Sequence, residues 1–476
     1  MKIHVLQRVL WIFQINKLWV VMALLALPLQ TGALAPSQSP NFIFILTDDH
    51  GWTSMSVAMD TKYPDARSDY FETSNISRLA ASGMRFSRGY APAAVCSPTR
   101  RSIQFGQTPA RQGDAGFHEK YHPDHHPDRL TIPRMLKAAN PNYKTAHYGK
   151  WDLRAGIFPE DLGYDESDGD TGNAHGNVIS EGDDKWRDYF INKDPKRINT
   201  LTGRAINFMQ RQVKAGHPFY LQISHYATHV DMQTTASNFE KFSGKPKGSA
   251  HQNPAWAGML ADLDQGIGKV LDMVDVLGIA DNTYIILMAD NGAVEFLPPV
   301  KNRLDHPDTF AQPMRNAPLR GGKWTLYEGG IRVPFIVKGP GITPGSQCDV
   351  PVTGWDLLPT ISELAHFSQP LRSDLDGGSL RQLLENAGVG EVVRPTEGMV
   401  FHRYNNGYPH SALIVGDFKL IKFWKNDQVE LYNLQKDMGE RTDLSEKMPE
   451  KTKAMYHHLI TYLQATDHEI HRAYPE

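Results

Sequence analysis

Four stretches of the chain are almost continuously apolar: residues 42–46, 219–223, 284–288 and 333–337. A strand covered on both faces reads this way, because neither row of alternating side chains meets water. Between these runs, apolar residues recur at helical spacing over residues 76–81, 132–139, 201–213, 256–277 and 357–365, which predicts amphipathic helices. Strand and helix alternate, so the pattern predicts an α/β fold with a mostly parallel central sheet flanked by helices. In such a sheet a site forms beyond the carboxyl ends of the strands.

The pattern changes near Ser368. Residues 373–378 are rich in Asp and Gly, a loop signal. Short strand-like pieces follow at 412–415, 418–423 and 429–433, with Gly416-Asp417 as a tight hairpin turn. A last amphipathic helix is expected over 451–464. The reading is a catalytic domain over residues 41–367 and a smaller C-terminal domain over 368–476, an antiparallel sheet with a helix.

A chain of 476 residues agrees with two domains. Its formal net charge of −3 gives no support for nucleic-acid binding or a polybasic membrane patch. Two cysteines, Cys96 and Cys348, make no disulfide framework. Lys2, Arg8 and Lys17 precede an apolar run at 18–29 that is short for a membrane span, and the small residues Thr31, Gly32 and Ala33 follow. Residues 1–33 therefore read as a signal peptide, which predicts a periplasmic or secreted protein with no stable membrane anchor. The stretch 118–126 is polar and rich in histidine.

Asp48-Asp49 and Asp290-Asn291 each follow a predicted buried strand. All four are oxygen donors, which suits a hard cation, and calcium tolerates such clusters better than magnesium. Either pair alone would read as a turn or helix cap. Between them lies Cys96-Ser97-Pro98-Thr99-Arg100, just ahead of a predicted helix at 99–105 with Pro98 in its first turn. A helix N-terminus there favours an anion such as sulfate.

This pentapeptide, with the two acidic pairs, resembles the type I sulfatase family of the alkaline-phosphatase-like superfamily, whose motif is C-x-P-x-R. The resemblance runs over residues 41–464. It implies that Cys96 is oxidised by a formylglycine-generating enzyme to formylglycine, which acts as its hydrate. It also implies one Ca2+ held by Asp48, Asp49, residue 96, Asp290 and Asn291. A thiolate is a soft ligand, so the hydrate's oxygen makes position 96 consistent with the other four. Gly149-Lys150-Trp151 resembles a family segment that places Lys150 on the sulfate or the hydrate. Residues 226–229 match the segment ending in the sulfate-binding histidine, here His229. Residues 321–332 resemble the second signature, placing Lys323 beside the leaving oxygen, while Arg100 holds the hydrate.

One departure is Asp152, which stands where the family has a histidine that serves the second step. His50, His147, His175 and His225 are candidates to compensate. Residues 168–173 and the segment His402, Arg403 through Asn406 offer groups for sugar hydroxyls, or else a turn and a strand-edge loop. The expected activity is hydrolysis of a sulfated carbohydrate, such as carrageenan or ulvan of algae. Two other readings stay open from sequence: a phosphonate or phosphodiester hydrolase of the same superfamily, and a non-catalytic sugar-binding protein in which Cys96 stays a thiol.

Overall fold

A computed structural model describes residues 39–113, 129–154, 156–180, 188–295, 315–403 and 408–466. The predicted signal peptide, the histidine-rich stretch and residues 404–406 lie outside the described residues. Among the described residues, no helix is long and apolar enough to cross a membrane.

The apolar runs form the middle of an eight-stranded sheet. Its spatial order is Ser346–Cys348, Met84–Phe86, Phe335–Lys338, Thr283–Ala289, Asn41–Thr47, Phe219–Ser224, Lys144–Gly149 and Glu166–Ser167. Only 335–338 runs against its neighbours; the other pairings are parallel. The strand 41–47 is fully buried and splits its side chains between two cores. Ile43 and Ile45 join one, packed under the helices Ile198–Ala215 and Pro254–Val276. Phe42, Phe44 and Leu46 join the other, with residues of Cys96–Phe105, Ile132–Ala139 and Leu357–Leu364. Side chains alternate faces along a strand, so both rows must be apolar when helices cover both sides.

The last predicted strand of this set was placed at 333–337; it is observed two residues later. Val333 N donates to Gly89 O outside the ladder, and Pro334 has no N–H to give. The helix expected from Thr99 begins at Cys96.

The C-terminal sheet is antiparallel, in the order Met399–Arg403, His410–Val415, Phe418–Phe423, Val429–Asn433. Gly416 takes φ +57 in the hairpin. One face packs Phe401, Ile414 and Ile421 against Leu326, Tyr327 and Trp355. The other packs Leu413, Leu420 and Leu431 against Leu459 and Leu463 of the helix Pro449–Ala465.

Candidate active site

Four adjacent strands end at one place. Asp290 and Asn291 follow Thr283–Ala289, Asp48 and Asp49 follow Asn41–Thr47, Lys150 follows Lys144–Gly149, and the turn carrying His229 follows Phe219–Ser224. Parallel pairing thus collects residues from distant parts of the sequence at one carboxyl edge. Two glycines make this possible. Gly149 has φ +98, and a Cβ there would lie 2.0 Å from Ser224 O; the chain turns tightly enough for Lys150 N to donate to the same oxygen at 2.8 Å. A Cβ on Gly292 would lie 1.8 Å from Gly329 O, so only glycine lets the Asp290 strand end lie against the segment that carries Lys323.

The helix Cys96–Phe105 supplies the centre. Cys96 is its first residue and Arg100 lies one turn on, both buried. Cys96 Sγ donates to Asp48 Oδ1 at 3.4 Å, and Lys323 Nζ lies 3.5 Å from Sγ. Lys323 Nζ also contacts Asp49 Oδ1 at 2.6 Å, while Lys150 Nζ donates to Asp48 Oδ2 at 2.6 Å. Arg100 donates twice to Asp290 Oδ2, at 3.0 and 2.7 Å, and also to Lys150 O. Asp49 N donates to Asp290 Oδ1 at 3.2 Å, and Asn291 Nδ2 donates to Asp49 Oδ1 at 2.7 Å. His229 Nε2 is 3.8 Å from Asp49 Oδ2, and its Nδ1 bonds to Val230 O at 3.0 Å. Because a carbonyl can only accept, Nδ1 carries the proton and Nε2 faces the carboxylates as an acceptor.

These charges shift one another strongly. Burial pushes the Asp49 carboxyl up to about 6; Lys323 pulls it down, and Asp48 and Asp290 repel its charge. Burial and Asp48 likewise raise Asp290. Burial would raise Asp48 too, but Lys150, helped by His229, Arg100 and Lys323, holds it far below the usual range. Burial, with Asp290 and Asp48 alongside, pushes the Cys96 thiol well up. A thiolate is therefore disfavoured, and the unmodified side chain is a poor nucleophile.

The carboxylate and amide oxygens here suit a hard cation, whereas the unmodified Cys96 sulfur and the His229 nitrogen do not. Asp48, Asp49, Cys96 and His229 offer ligand atoms within 4.8 Å of one another. Asn291 Oδ1 is buried and without a hydrogen-bond partner. A cation bound by oxygen ligands satisfies that atom and relieves the repulsion among three carboxylates. Asp49 holds φ +54 and Trp324, beside Lys323, φ +75; such backbone costs of order 1–3 kcal/mol and concentrates where function needs it.

Asp152 is in the site, but not through strand alternation, since the strand stops at Gly149. A turn with φ +52 brings it back. Its Oδ2 lies 3.7 Å from Lys150 Nζ, its Oδ1 3.2 Å from Arg154 Nε, and Oδ2 has no hydrogen-bond partner. Burial would raise its carboxyl, but Lys150, Arg154 and Arg100 lower it. His175 is exposed in a short turn, its Nδ1 accepting from Gly172 N. His402 and Arg403 are not on a strand-edge loop: both are buried in 399–403, and His402 Nδ1 bonds across to Ser411 Oγ at 2.6 Å. Asp168 is occupied by Gly149 N and by Arg204. His50, His147 and His225 are buried, and burial takes them down to about 4, 3 and 4.

Sequence reading missed Lys196 and left Arg101 unassigned. Lys196 is fully buried with φ +50, and its Nζ donates to Val230 O at 3.1 Å, the carbonyl that also takes His229 Nδ1. Pro195-Lys196-Arg197 carries no pattern that would reveal this. Arg101 Nε donates to Leu153 O at 2.6 Å, so the two neighbouring arginines clamp the 150–153 turn.

The sequence profile of the family described as Sulfatase matches residues 40–367, and that described as N-sulphoglucosamine sulphohydrolase, C-terminal, matches 322–469. A Formosa agariphila protein named Sulfatase is 26% identical over 505 residues, covering 87% of this chain and 86% of its own. Human N-acetylgalactosamine-6-sulfatase is 29% identical over 380 residues, covering 73% of this chain and 66% of its own. Among solved structures, Ps i-CgsB superposes with a TM-score of 0.71 at 23% identity, over 90% of this chain and 93% of its own. A protein solved in complex with its substrate D-glucosamine-2-N,6-O-disulfate gives a TM-score of 0.67 at 21% identity, over 90% and 98%.

Proposed function

The chain belongs to the sulfatase family, and from that membership we propose an exported enzyme that removes sulfate from a sulfated carbohydrate. It is a sulfuric ester hydrolase with the alkaline-phosphatase-like fold. In this proposal residues 41–367 carry the chemistry and 368–476 form a C-terminal subdomain. Residue 96 is converted to formylglycine and one Ca2+ sits on Asp48, Asp49, Asp290 and Asn291. The N-terminal charge and apolar run support export. The carbohydrate assignment is supported by the named substrates of its relatives, an N-acetylgalactosamine sulfate ester and a disulfated glucosamine.

The observation that carries the reading is the ring of charge around Cys96: Asp48 at 3.4 Å, Lys323 at 3.5 Å, Lys150 bound to Asp48 and Arg100 bound to Asp290. A cation and an aldehyde hydrate at this place supply, respectively, charge neutralisation and an oxygen nucleophile that regenerates itself. The chain's own groups do the rest. Lys150 and Arg100 balance the charge of the sulfate ester and hold it over residue 96. Lys323, next to the reacting atom, is positioned to protonate the leaving alcohol, while His229 binds the sulfate on the opposite side by taking a proton on Nε2 and donating it to a sulfate oxygen. Lys196 and Val230 fix the ring of His229. Asp152, with an open oxygen beside Lys150, takes up the proton when sulfate is released.

The test is to make the protein together with a formylglycine-generating enzyme, weigh the peptide that contains residue 96, and measure sulfate release. Substrates are carrageenan, ulvan and glycosaminoglycan oligosaccharides, with a phosphodiester for contrast. An aldehyde at 96 with sulfate release from a sulfated sugar is expected. Full activity with an intact thiol, or turnover of the phosphodiester alone, would overturn the reading.

A further inference from the structure

The turn that carries Lys323 places a tryptophan where the backbone asks for glycine. Thr325 N donates to Gly322 O at 3.0 Å, so Lys323 and Trp324 are the central residues of the turn, and Trp324 takes φ +75. A turn with positive φ at its third residue ordinarily has glycine or asparagine there, and a bulky side chain in that region is an outlier. The conformation is fixed from outside. Lys323 N donates to Ala293 O at 3.1 Å, and Trp324 N donates to Ala94 O at 2.8 Å, just ahead of Cys96. Gly321, Gly322, Gly329 and Gly330 stand close by in the same segment, yet this position is not glycine. The backbone gains nothing from the side chain, so the ring is what the position needs.

Core filling does not account for it. Trp52, Trp151, Trp256 and Trp355 are sealed in the interior and Trp424 is buried. Trp324 is the one tryptophan among the described residues that is only partly buried. It packs against the core that contains Ile43 and Ile45, and the remainder is open. That remainder lies beside the chemistry. Lys323 Nζ is 5.2 Å from the centre of the ring and 3.5 Å from Cys96 Sγ, so the ring is within reach of a sugar whose sulfate sits on residue 96. His229, which meets the same Asp49 as Lys323, is also partly open, with 11% of its side chain exposed. A pyranose offers a face of C–H bonds, and an indole offers a broad, electron-rich face that costs little entropy to order.

We infer that Trp324 is a specificity-determining residue: its ring stacks on the C–H face of the pyranose that carries the hydrolysed sulfate, and so holds the leaving oxygen toward Lys323. This rests on the sulfated-carbohydrate reading and narrows it to sulfate esters of a pyranose with one face free of axial hydroxyls.

The experiment compares sugar esters, N-acetylgalactosamine 6-sulfate and D-glucosamine-2-N,6-O-disulfate, with propyl sulfate, which has no ring. The wild type, Trp324→Phe, Trp324→Leu and Trp324→Gly are assayed for kcat and KM, and for Kd in a Cys96→Ala background. The wild type should favour a sugar ester over propyl sulfate by about tenfold or more in kcat/KM. Trp324→Gly, which suits φ +75, should lower that ratio about tenfold, mainly through KM. Trp324→Leu should lower it nearly as far, and Trp324→Phe should keep most of it. The Kd values for the sugar esters should weaken in the same order. If the glycine variant is unstable, Trp324→Phe against Trp324→Leu carries the comparison. A ratio that stays the same without the aromatic ring overturns the inference; a common fall in kcat on every ester would then assign Trp324 to steadying Lys323. If no sugar ester releases sulfate, the proposed function falls, while the order of the Kd values still judges Trp324.

Discussion

Two groups of buried charges hold the two ends of one segment, residues 321–332, and they differ in what they leave open. At one end Lys323 reaches Asp49 and Cys96. Around it two buried acceptors, Asn291 Oδ1 and Asp152 Oδ2, lack hydrogen bonds. At the other end Glu328 is closed in. It takes Lys419 Nζ at 2.9 Å, Tyr90 O–H at 3.0 Å and Arg332 at 3.4 Å. Glu440 accepts from Glu328 N at 2.6 Å and lies 2.8 Å from Lys419 Nζ, a contact that is ionic though off the hydrogen-bond line. Both groups pay the desolvation of several charges. The closed group uses every charge to fasten the signature segment to the C-terminal sheet. The open group leaves acceptors for a cation, whose charge together with Lys150 and Lys323 draws an incoming anion. Burial of charge by itself does not mark an active site; here the open acceptors belong to groups that touch Asp49 and Lys150.

The largest test of this contrast is Cys96→Ala. Turnover should fall by about a thousandfold or more, with the melting temperature unchanged or higher, since the thiol sits among charges it does not stabilise. A clear loss of stability would mean that the open group also fastens the fold. Next, Lys419→Met should cost about 3–5 kcal/mol in denaturant unfolding, because Glu328 and Glu440 are left facing each other; a variant as stable as the parent would break the distinction from the other side. Chelation comes third. It should abolish activity, and calcium should restore it. A cation present at a hundredfold its dissociation constant contributes about 2.7 kcal/mol of stability that chelation removes. Restoration by zinc alone would make the oxygen-ligand assignment wrong.

Two smaller effects sharpen the comparison. Asp152→Asn should leave a fast first release of sulfate and slow later turnover by about 10–100-fold; a rise in KM without a burst would assign Asp152 to a substrate hydroxyl instead. The last concerns pH. Burial pushes the Glu440 carboxyl up to about 7, Lys419 opposing and Glu328 adding to the rise. The folded state then keeps a proton that the unfolded chain loses above its ordinary value of 4.5. This contribution to stability is full below that value and lost as pH rises to about 7. Relative to Glu440→Gln, the wild type should lose stability between about pH 5 and 7 and level off above. Parallel curves would show that Glu440 does not titrate in that window.

Much of the fold could be read along the chain. The strand at 42–46 is apolar on both faces because helices cover both, so its pattern survives without the structure. The helix at 132–139 begins and ends where its periodicity does. His402 and Arg403 show the limit: polar residues read as a loop, yet they lie buried in a strand because Ser411 and its neighbours receive them. The antiparallel course of 335–338 was equally hidden, since a buried strand has the same apolar run in either direction.

The sequence by itself determined which residues meet: the motifs around Asp48, Cys96, Lys150, His229, Asp290 and Lys323 are contiguous, and parallel strand order carries their ends to one edge. Only the tertiary structure decided how they are set against one another. The reach of Asp152 to Lys150 depends on a turn with φ +52, and the burial of Lys196 on a backbone that periodicity does not encode. Those are properties of distance and dielectric between residues far apart in the chain, and spacing along a sequence carries no measure of either.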